Sequence, residues 1–163
     1  MCRRCSWVNL KNPLYIKYHD EEWGRPVKDD KKLYELLILE SFQAGLSWEC
    51  VLNKRENFRA AFDNFDIDKV VNYNDVKINE LMKNEGIIRH RLKVNAAIKN
   101  SAVYRLIQRE FGSFAEYIST FTQGEIFYEE FTQRTTSTLS DAISKDLKKR
   151  GMTFVGSTII YSF

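Results

Sequence analysis

Residues 30–44 read DKKLYELLILESFQA, and Leu33, Leu36 and Leu37 recur at three- and four-residue spacing, with Glu40 and Ala44 continuing the same stripe. That period is helical, and Asp30 is suited to accept hydrogen bonds from a first turn. The spacing therefore predicts a helix over 31–43. Its inward stripe contains a carboxylate. Leaving a buried charge unpaired is costly, so such a group is paired, protonated or reserved for a ligand. A buried ion pair is the ordinary alternative to a functional Glu40, and the stripe alone leaves both open.

Working outward, Ser47 can cap a second helix whose apolar positions are Val51, Leu52, Phe58 and Phe62. Asn74 opens a short helix through Met82, with Gly86 as its stop. The longest helical run is 90–111, with Ala96, Ala97, Val103, Leu106 and Ile107 inward and Gly112 ending it. Ser113 and Glu116 have capping-box spacing, as do Thr138 and Asp141, and the second box leads Leu139, Ile143 and Leu147 to a terminating Gly151. Residues 122–136 have no clear period and read as a loop. Period-two alternation never lasts a strand's length, and the only prolines, Pro13 and Pro26, lie near the start. The expectation is one all-α domain over 1–163, with no repeat or linker.

With 163 residues, 44% hydrophobic and 13% aromatic, the chain can bury a core of its own. It has no apolar run long enough to span a bilayer and no signal-like stretch at its start, so no membrane partner is expected and a cytoplasmic location is the default. Cys2, Cys5 and Cys50 cannot all pair within one chain and read as reduced thiols or metal ligands. The net charge of +3 does not by itself indicate nucleic acid. Its distribution says more: Arg89, Arg91 and Lys93 form one basic group and Lys145, Lys148, Lys149 and Arg150 another, either of which can also be a solvated helix face.

Three features carry chemistry. Glu40 is the first. The second is an aromatic set near the N-terminus, Trp7, Tyr15, Tyr18, Trp23 and Trp48, able to sandwich a planar base and especially a cationic one, although each ring singly is as well explained by core packing. The third is LKKRGMTFVGS at 147–157, where a basic helix end meets Gly151, Gly156 and a capping Ser157. Such a turn resembles a helix-hairpin-helix, which aims backbone N–H groups at a DNA phosphate; an ordinary corner between helices is the alternative.

Taken together, Arg4-Cys5-Ser6-Trp7, Pro13-Leu14-Tyr15-Ile16, Tyr18-His19-Asp20, Glu22-Trp23-Gly24, Leu39-Glu40 and Gln43-Ala44-Gly45-Leu46-Ser47-Trp48 resemble the 3-methyladenine DNA glycosylase I family. So do Gly86-Ile87-Ile88-Arg89-His90-Arg91, Leu147-Lys148-Lys149-Arg150-Gly151, Phe154-Val155-Gly156 and Tyr161-Ser162-Phe163, and the likeness runs from Arg4 to the last residue. The resemblance implies a helix-hairpin-helix glycosylase domain, with the hairpin at about 138–163. It implies a monofunctional enzyme that flips 3-methyladenine from double-stranded DNA and hydrolyses its N-glycosidic bond in base-excision repair, acting as a monomer. It gives Glu40 the reading of the base edge, with a general-base role as the weaker possibility. Tyr18 and Trp48 would line and stack on the base, and Trp7, Tyr15 and Trp23 would complete the enclosure. Gly45 and Leu46 would probe the gap in the duplex, and Lys149, Gly151 and Gly156 would meet its backbone.

The resemblance also implies a structural zinc held by two cysteines and two histidines, of which Cys5 and His19 match the N-terminal half. The chain ends at Phe163 and its other histidine, His90, lies in a different motif, so the expectation is a half site that Cys2 and water would have to complete. The same comparison predicts that most of the helix after Ser157 is cut short. A DNA-binding module impaired in catalysis is the first competing expectation, and a small-molecule or zinc-dependent interaction domain the second.

Overall fold

The computed structural model describes residues 4–128 and 134–163, so Cys2 and part of the expected 122–136 loop lie outside the described residues. The elements are α1 Pro13–Glu21, α2 Asp30–Gln43, α3 Trp48–Asn53, α4 Arg55–Ala61, a 3-10 turn Asp63–Phe65, α5 Ile67–Val70, α6 Asp75–Lys83, α7 Arg91–Phe111, α8 Phe114–Thr122, α9 Thr138–Lys149 and α10 Ser157–Ser162. No strand occurs among the described residues, in agreement with the all-α expectation.

The centre of the domain is α2, which packs against α3, α7, α8 and α10. From Leu37 to Phe42 every side chain is buried, so the second half of α2 is enclosed on all sides rather than along one stripe. Glu40 is therefore deeper than a stripe-edge carboxylate would be. Across from it, α7 turns Val94, Ala97, Ser101, Tyr104 and Ile107 inward, and Tyr34 on α2 meets Tyr104 edge to face at 5.2 Å and shares a hydrogen bond with Ser101. Leu106, expected inward, is 57% exposed, because its neighbours in the sequence already occupy the buried face.

Several caps lie one residue from where the spacing put them. Asp29, not Asp30, caps α2 by accepting from Lys32 N–H at 2.7 Å. Ser137 and Ser140, not Thr138 and Asp141, form the reciprocal capping box of α9. Gly156 rather than Ser157 is the N-cap of α10, and the Ser157 hydroxyl instead bonds Ser140 Oγ at 2.8 Å. The segment begun at Ser47 is two helices, interrupted at Lys54, and α6 is closed by Asn84. Gly86 has another reason: a Cβ there would stand 3.0 Å from Asn84 Oδ1 and 3.1 Å from the Asn57 side chain.

The displaced Asp30 serves a distant helix. Its Oδ2 accepts from Phe114 N–H and Gln108 Nε2, both at 2.8 Å, and its Oδ1 from Ala115 N–H at 3.0 Å. A carboxylate thus satisfies two orphan donors at the start of α8 and ties that helix to α2 and α7. Asp30→Ala strips charge-assisted bonds from a partly buried site and should cost about 2–3 kcal/mol, a drop of roughly 5–10 °C in Tm. Asp29→Ala, which removes one exposed cap, should lose clearly less in the same melting experiment.

The C-terminal hairpin has a Schellman stop. Met152 N–H donates to Leu147 O at 2.9 Å and Gly151 N–H to Lys148 O at 3.0 Å, with Gly151 at φ +105° as the left-handed residue that ends α9. Ser144 Oγ donates to Val155 O at 2.7 Å, and Asn100 of α7 exchanges two hydrogen bonds with the backbone of Thr153. The turn is therefore pinned to both α9 and α7.

Candidate active site

Three segments bring the singled-out aromatics together. Asn12 caps α1 by accepting from Leu14 and Tyr15 N–H, and Pro13 opens the helix with the φ it prefers. Tyr15 and Tyr18, three residues apart, then share the buried face of α1. Ser47 caps α3 and puts Trp48 in its first turn, where the ring centroid stands 5.3 Å from that of Tyr18. Trp7, ahead of α1, packs at 5.3 Å from Tyr15 and 5.2 Å from Trp23. Glu49 and Asn53 on α3 hold α1 in place through Asn12 Nδ2, at 2.8 and 2.9 Å.

Trp7, Tyr15, Tyr18, Trp23, Trp48 and Glu40 all line one cleft of about 890 Å³, far more than a single base occupies. Glu40 is 3% exposed and its Oε2 has no hydrogen-bond partner among the described residues. Burial pushes its carboxyl up to about 8, which favours the protonated form at neutral pH. The indole N–H of Trp48 is the other buried side-chain polar atom without a partner among the described residues. An unmatched acceptor and an unmatched donor in the same aromatic cleft are costly for folding alone and suited to a planar ligand with polar edges. Burial, and next the Glu40 carboxylate, raise the Tyr18 hydroxyl well above its ordinary range, so it stays a neutral donor.

Beside the cleft, Gln43–Leu46 form a type II turn. Ala44 has φ −48° and ψ 117°, Gly45 has φ +76°, and Leu46 N–H donates to Gln43 O at 2.7 Å. Glycine is required at the third position of this turn. Gln43 Nε2 closes it again by donating to Leu46 O at 2.7 Å, and Leu46 is 40% exposed at the tip.

On the hairpin, Lys149 is exposed at the end of α9 and Gly151 needs its positive φ. Gly156 differs: its φ −61° and ψ 162° suit any residue, and a Cβ there would meet nothing within 4 Å. Among the described residues nothing requires glycine at 156. Lys93, grouped with the surface basic residues by its sequence neighbours, is instead buried, and Arg150 is engaged by Glu110 and Asp146.

Cys5 and His19 are neighbours, with Cys5 N–H donating to His19 Nε2 at 3.3 Å, while His19 Nδ1 meets Asp20 Oδ1 at 2.9 Å and the ring stacks on Trp23 at 5.5 Å. Among the described residues no three His, Cys, Asp or Glu side chains converge on a metal position. Two donors, with both imidazole nitrogens already engaged, do not fit a closed tetrahedral zinc site.

Sequence reasoning missed the support of the site. Glu22 and Gln43 also line the cleft, and Arg55, 7% exposed, holds Glu22 and Glu35 behind it. Glu22 and Gln43 lie within motifs quoted for the resemblance; Arg55 has no local signal, since its partners are 33 and 20 residues away.

Residues 7–163 match the family model described as methyladenine glycosylase. The chain is 46% identical to DNA-3-methyladenine glycosylase 1 of Escherichia coli (strain K12), over 98% of this chain and 87% of that protein. A crystal structure of 3-methyladenine DNA glycosylase I superposes with a TM-score of 0.93 at 44% identity, covering 98% of this chain and 90% of the other. A Tyr→Phe variant of 3-methyladenine DNA glycosylase I, in complex with 3-methyladenine, has a TM-score of 0.87 at 36% identity, covering 93% and 84% of the two chains.

Proposed function

The chain belongs to the methyladenine glycosylase family, and from that premise we propose how its residues divide the work of releasing 3-methyladenine from alkylated DNA. The partner is double-stranded DNA carrying the damaged base, met in the cytoplasm, and the protein acts as a monomer, a reading supported by Glu40 and the five aromatics all lining a cleft of one chain. The observation that carries this reading is the buried Glu40 carboxyl, unmatched at Oε2 in an aromatic cleft.

Methylation at N3 makes the nucleobase cationic. Once flipped into the cleft, the cation offsets the desolvation of Glu40 and draws its carboxyl toward the ionised form, while Tyr18 and Trp48 stack on the ring and Trp7, Tyr15 and Trp23 close the rim. Unmodified adenine brings no charge, leaves Glu40 uncompensated and is rejected. In the reaction a water oxygen bonds to C1′ as the C1′–N9 bond breaks, and the bonding pair leaves with the base, cancelling its positive charge. A leaving group already activated in this way needs little further acid catalysis. The ionised Glu40 carboxylate takes the proton of that water as its secondary role in this reading.

Leu46, exposed on a glycine turn locked twice by Gln43, enters the gap left by the base. The helix-hairpin-helix turn meets the phosphates. Gly156, which no contact among the described residues requires to be glycine, leaves room for close backbone approach, and Lys149 at the exposed end of α9 supplies a cation. Among the described residues Cys5 and His19 supply half of a zinc ligand set, and no step of this proposal runs through a metal.

The test is release of free 3-methyladenine from methylated duplex DNA by the folded protein, followed chromatographically at two salt concentrations. Release that weakens steeply with added salt at subsaturating DNA is the expected result. A folded protein that binds duplex and frees no base would overturn the assignment.

A further inference from the structure

The ammonium group of Lys93 connects the turn beside the base cleft to the C-terminal hairpin. Lys93 lies in the first turn of α7, is 7% exposed, and donates from Nζ to Phe42 O at 2.8 Å and to Ala44 O at 2.6 Å. These carbonyls belong to the end of α2, where no following helical turn supplies N–H partners. α2 has no left-handed glycine at its cap, since Ala44 leaves the helix at φ −48° and ψ 117°. The lysine therefore acts as the cap, a cation at the negative end of the helix.

Both acceptors are close to function. Phe42 is two residues beyond Glu40, and Ala44 is the second residue of the type II turn whose tip is Leu46. On its other side, the same Nζ stands 5.9 Å from the ring of Phe154 in the hairpin turn, and the ring of His90, the N-cap of α7, meets Phe154 edge-on at 6.4 Å. Phe154 is held at φ +55°, between the Thr153 backbone bonded by Asn100 and the Val155 carbonyl bonded by Ser144.

We propose that Lys93 is a positioning residue for base extrusion: it fixes the Gly45–Leu46 tip in register with the hairpin turn, so that gripping the backbone and filling the gap in the duplex are one motion. The inference rests on Leu46 being the group that enters the gap. A lysine needed only to keep the domain folded would affect every substrate alike, whereas a lysine acting through Leu46 matters only when a base must be drawn from a pair.

The experiment compares wild type, Lys93→Met, Leu46→Gly and the double variant, each confirmed folded by melting. Three readings are taken: single-turnover release of 3-methyladenine from methylated duplex, release from methylated single strand, and binding of free 3-methyladenine by tryptophan fluorescence. On duplex, each single variant should be slowed about tenfold or more, given two carbonyls left unpaired or a lost wedge. The double variant should be no slower than the slower single one, and in Lys93→Met single-strand release and free-base binding should stay near wild type. Equal losses on duplex, single strand and free base, or penalties that multiply in the double variant, would overturn the role given to Lys93. If Leu46→Gly retains full duplex activity, the gap-filling reading itself fails, a result separable from a silent Lys93→Met beside an impaired Leu46→Gly, which sinks the lysine alone. Lys93→Gln, which keeps a donor without the charge, supplies the same comparison if the methionine variant does not fold.

Discussion

Glu40→Gln is expected to release 3-methyladenine from duplex DNA about 100-fold or more slowly than the wild type, and at alkaline pH to melt higher. The two effects share one cause. In the folded protein burial raises the Glu40 carboxyl from 4.5 to about 8. Between those values the folded state holds a proton that the unfolded chain has released, so this group lowers stability progressively as pH rises and reaches its full cost above about 8. The separation corresponds to an upper bound of about 5 kcal/mol. Glutamine removes the charge while keeping the shape, so part of that cost returns as a gain on the order of 5–10 °C in Tm. Near pH 5 the carboxyl is protonated in the folded state and only partly ionised in the unfolded one, and the two proteins should melt much closer together. Equal melting differences at both pH values would mean that Glu40 is ionised and partnered in the fold.

The activity follows the same titration. In the proposed mechanism the carboxylate is the form that rewards a cationic base, so kcat/KM, which reports the free enzyme, should rise with pH through a midpoint near 8. The bound cation favours ionisation, which moves the corresponding limb of kcat to lower pH. In Glu40→Gln the limb in kcat/KM should vanish.

Helices were legible in the sequence because their signals are local. The stripe of 30–44, the glycines at 112 and 151, and the serine at 47 each act within a turn or two of themselves. Caps slipped by one residue where two capping residues adjoin, as at Asp29 and Asp30 or at Ser137 and Thr138, because spacing cannot tell which side chain is committed elsewhere. Asp30 was committed to α8, 84 residues away, a bond with no local trace. The aromatic set and Glu40 were legible as residue types, and the structure gathers all six around one cleft. What holds them there was not. Lys93 looked like surface charge because it groups in the sequence with Arg89 and Arg91, which are exposed, yet its partners are carbonyls 49 and 51 residues away. Polar side chains that act on distant backbone carry no period.

Arg55→Met should be the most damaging single change to stability among the residues that frame the site. Arg55 donates from Nε to Glu35 at 2.6 Å and from Nη1 to both carboxylate oxygens of Glu22 at 2.8 and 3.0 Å. Burial alone would push the Glu22 carboxyl up, but the Arg55 guanidinium holds it below its ordinary range. Removing the cation leaves Glu35 with Arg59 alone, its Nε at 3.0 Å, and Glu22 with Lys32 alone, at 3.6 Å, in a poorly solvated site, a loss of about 3 kcal/mol and roughly 10 °C in Tm. Glu22 ends α1, so the same change frees the helix that carries Tyr15 and Tyr18, and free 3-methyladenine should bind more weakly at temperatures where the variant is still folded. If charge rather than packing is responsible, Arg55→Met combined with Glu22→Gln and Glu35→Gln should recover much of the lost Tm, because neither carboxylate is then left short of a cation. A triple variant no more stable than Arg55→Met would assign the loss to the packing of the arginine side chain between α1, α2 and α4.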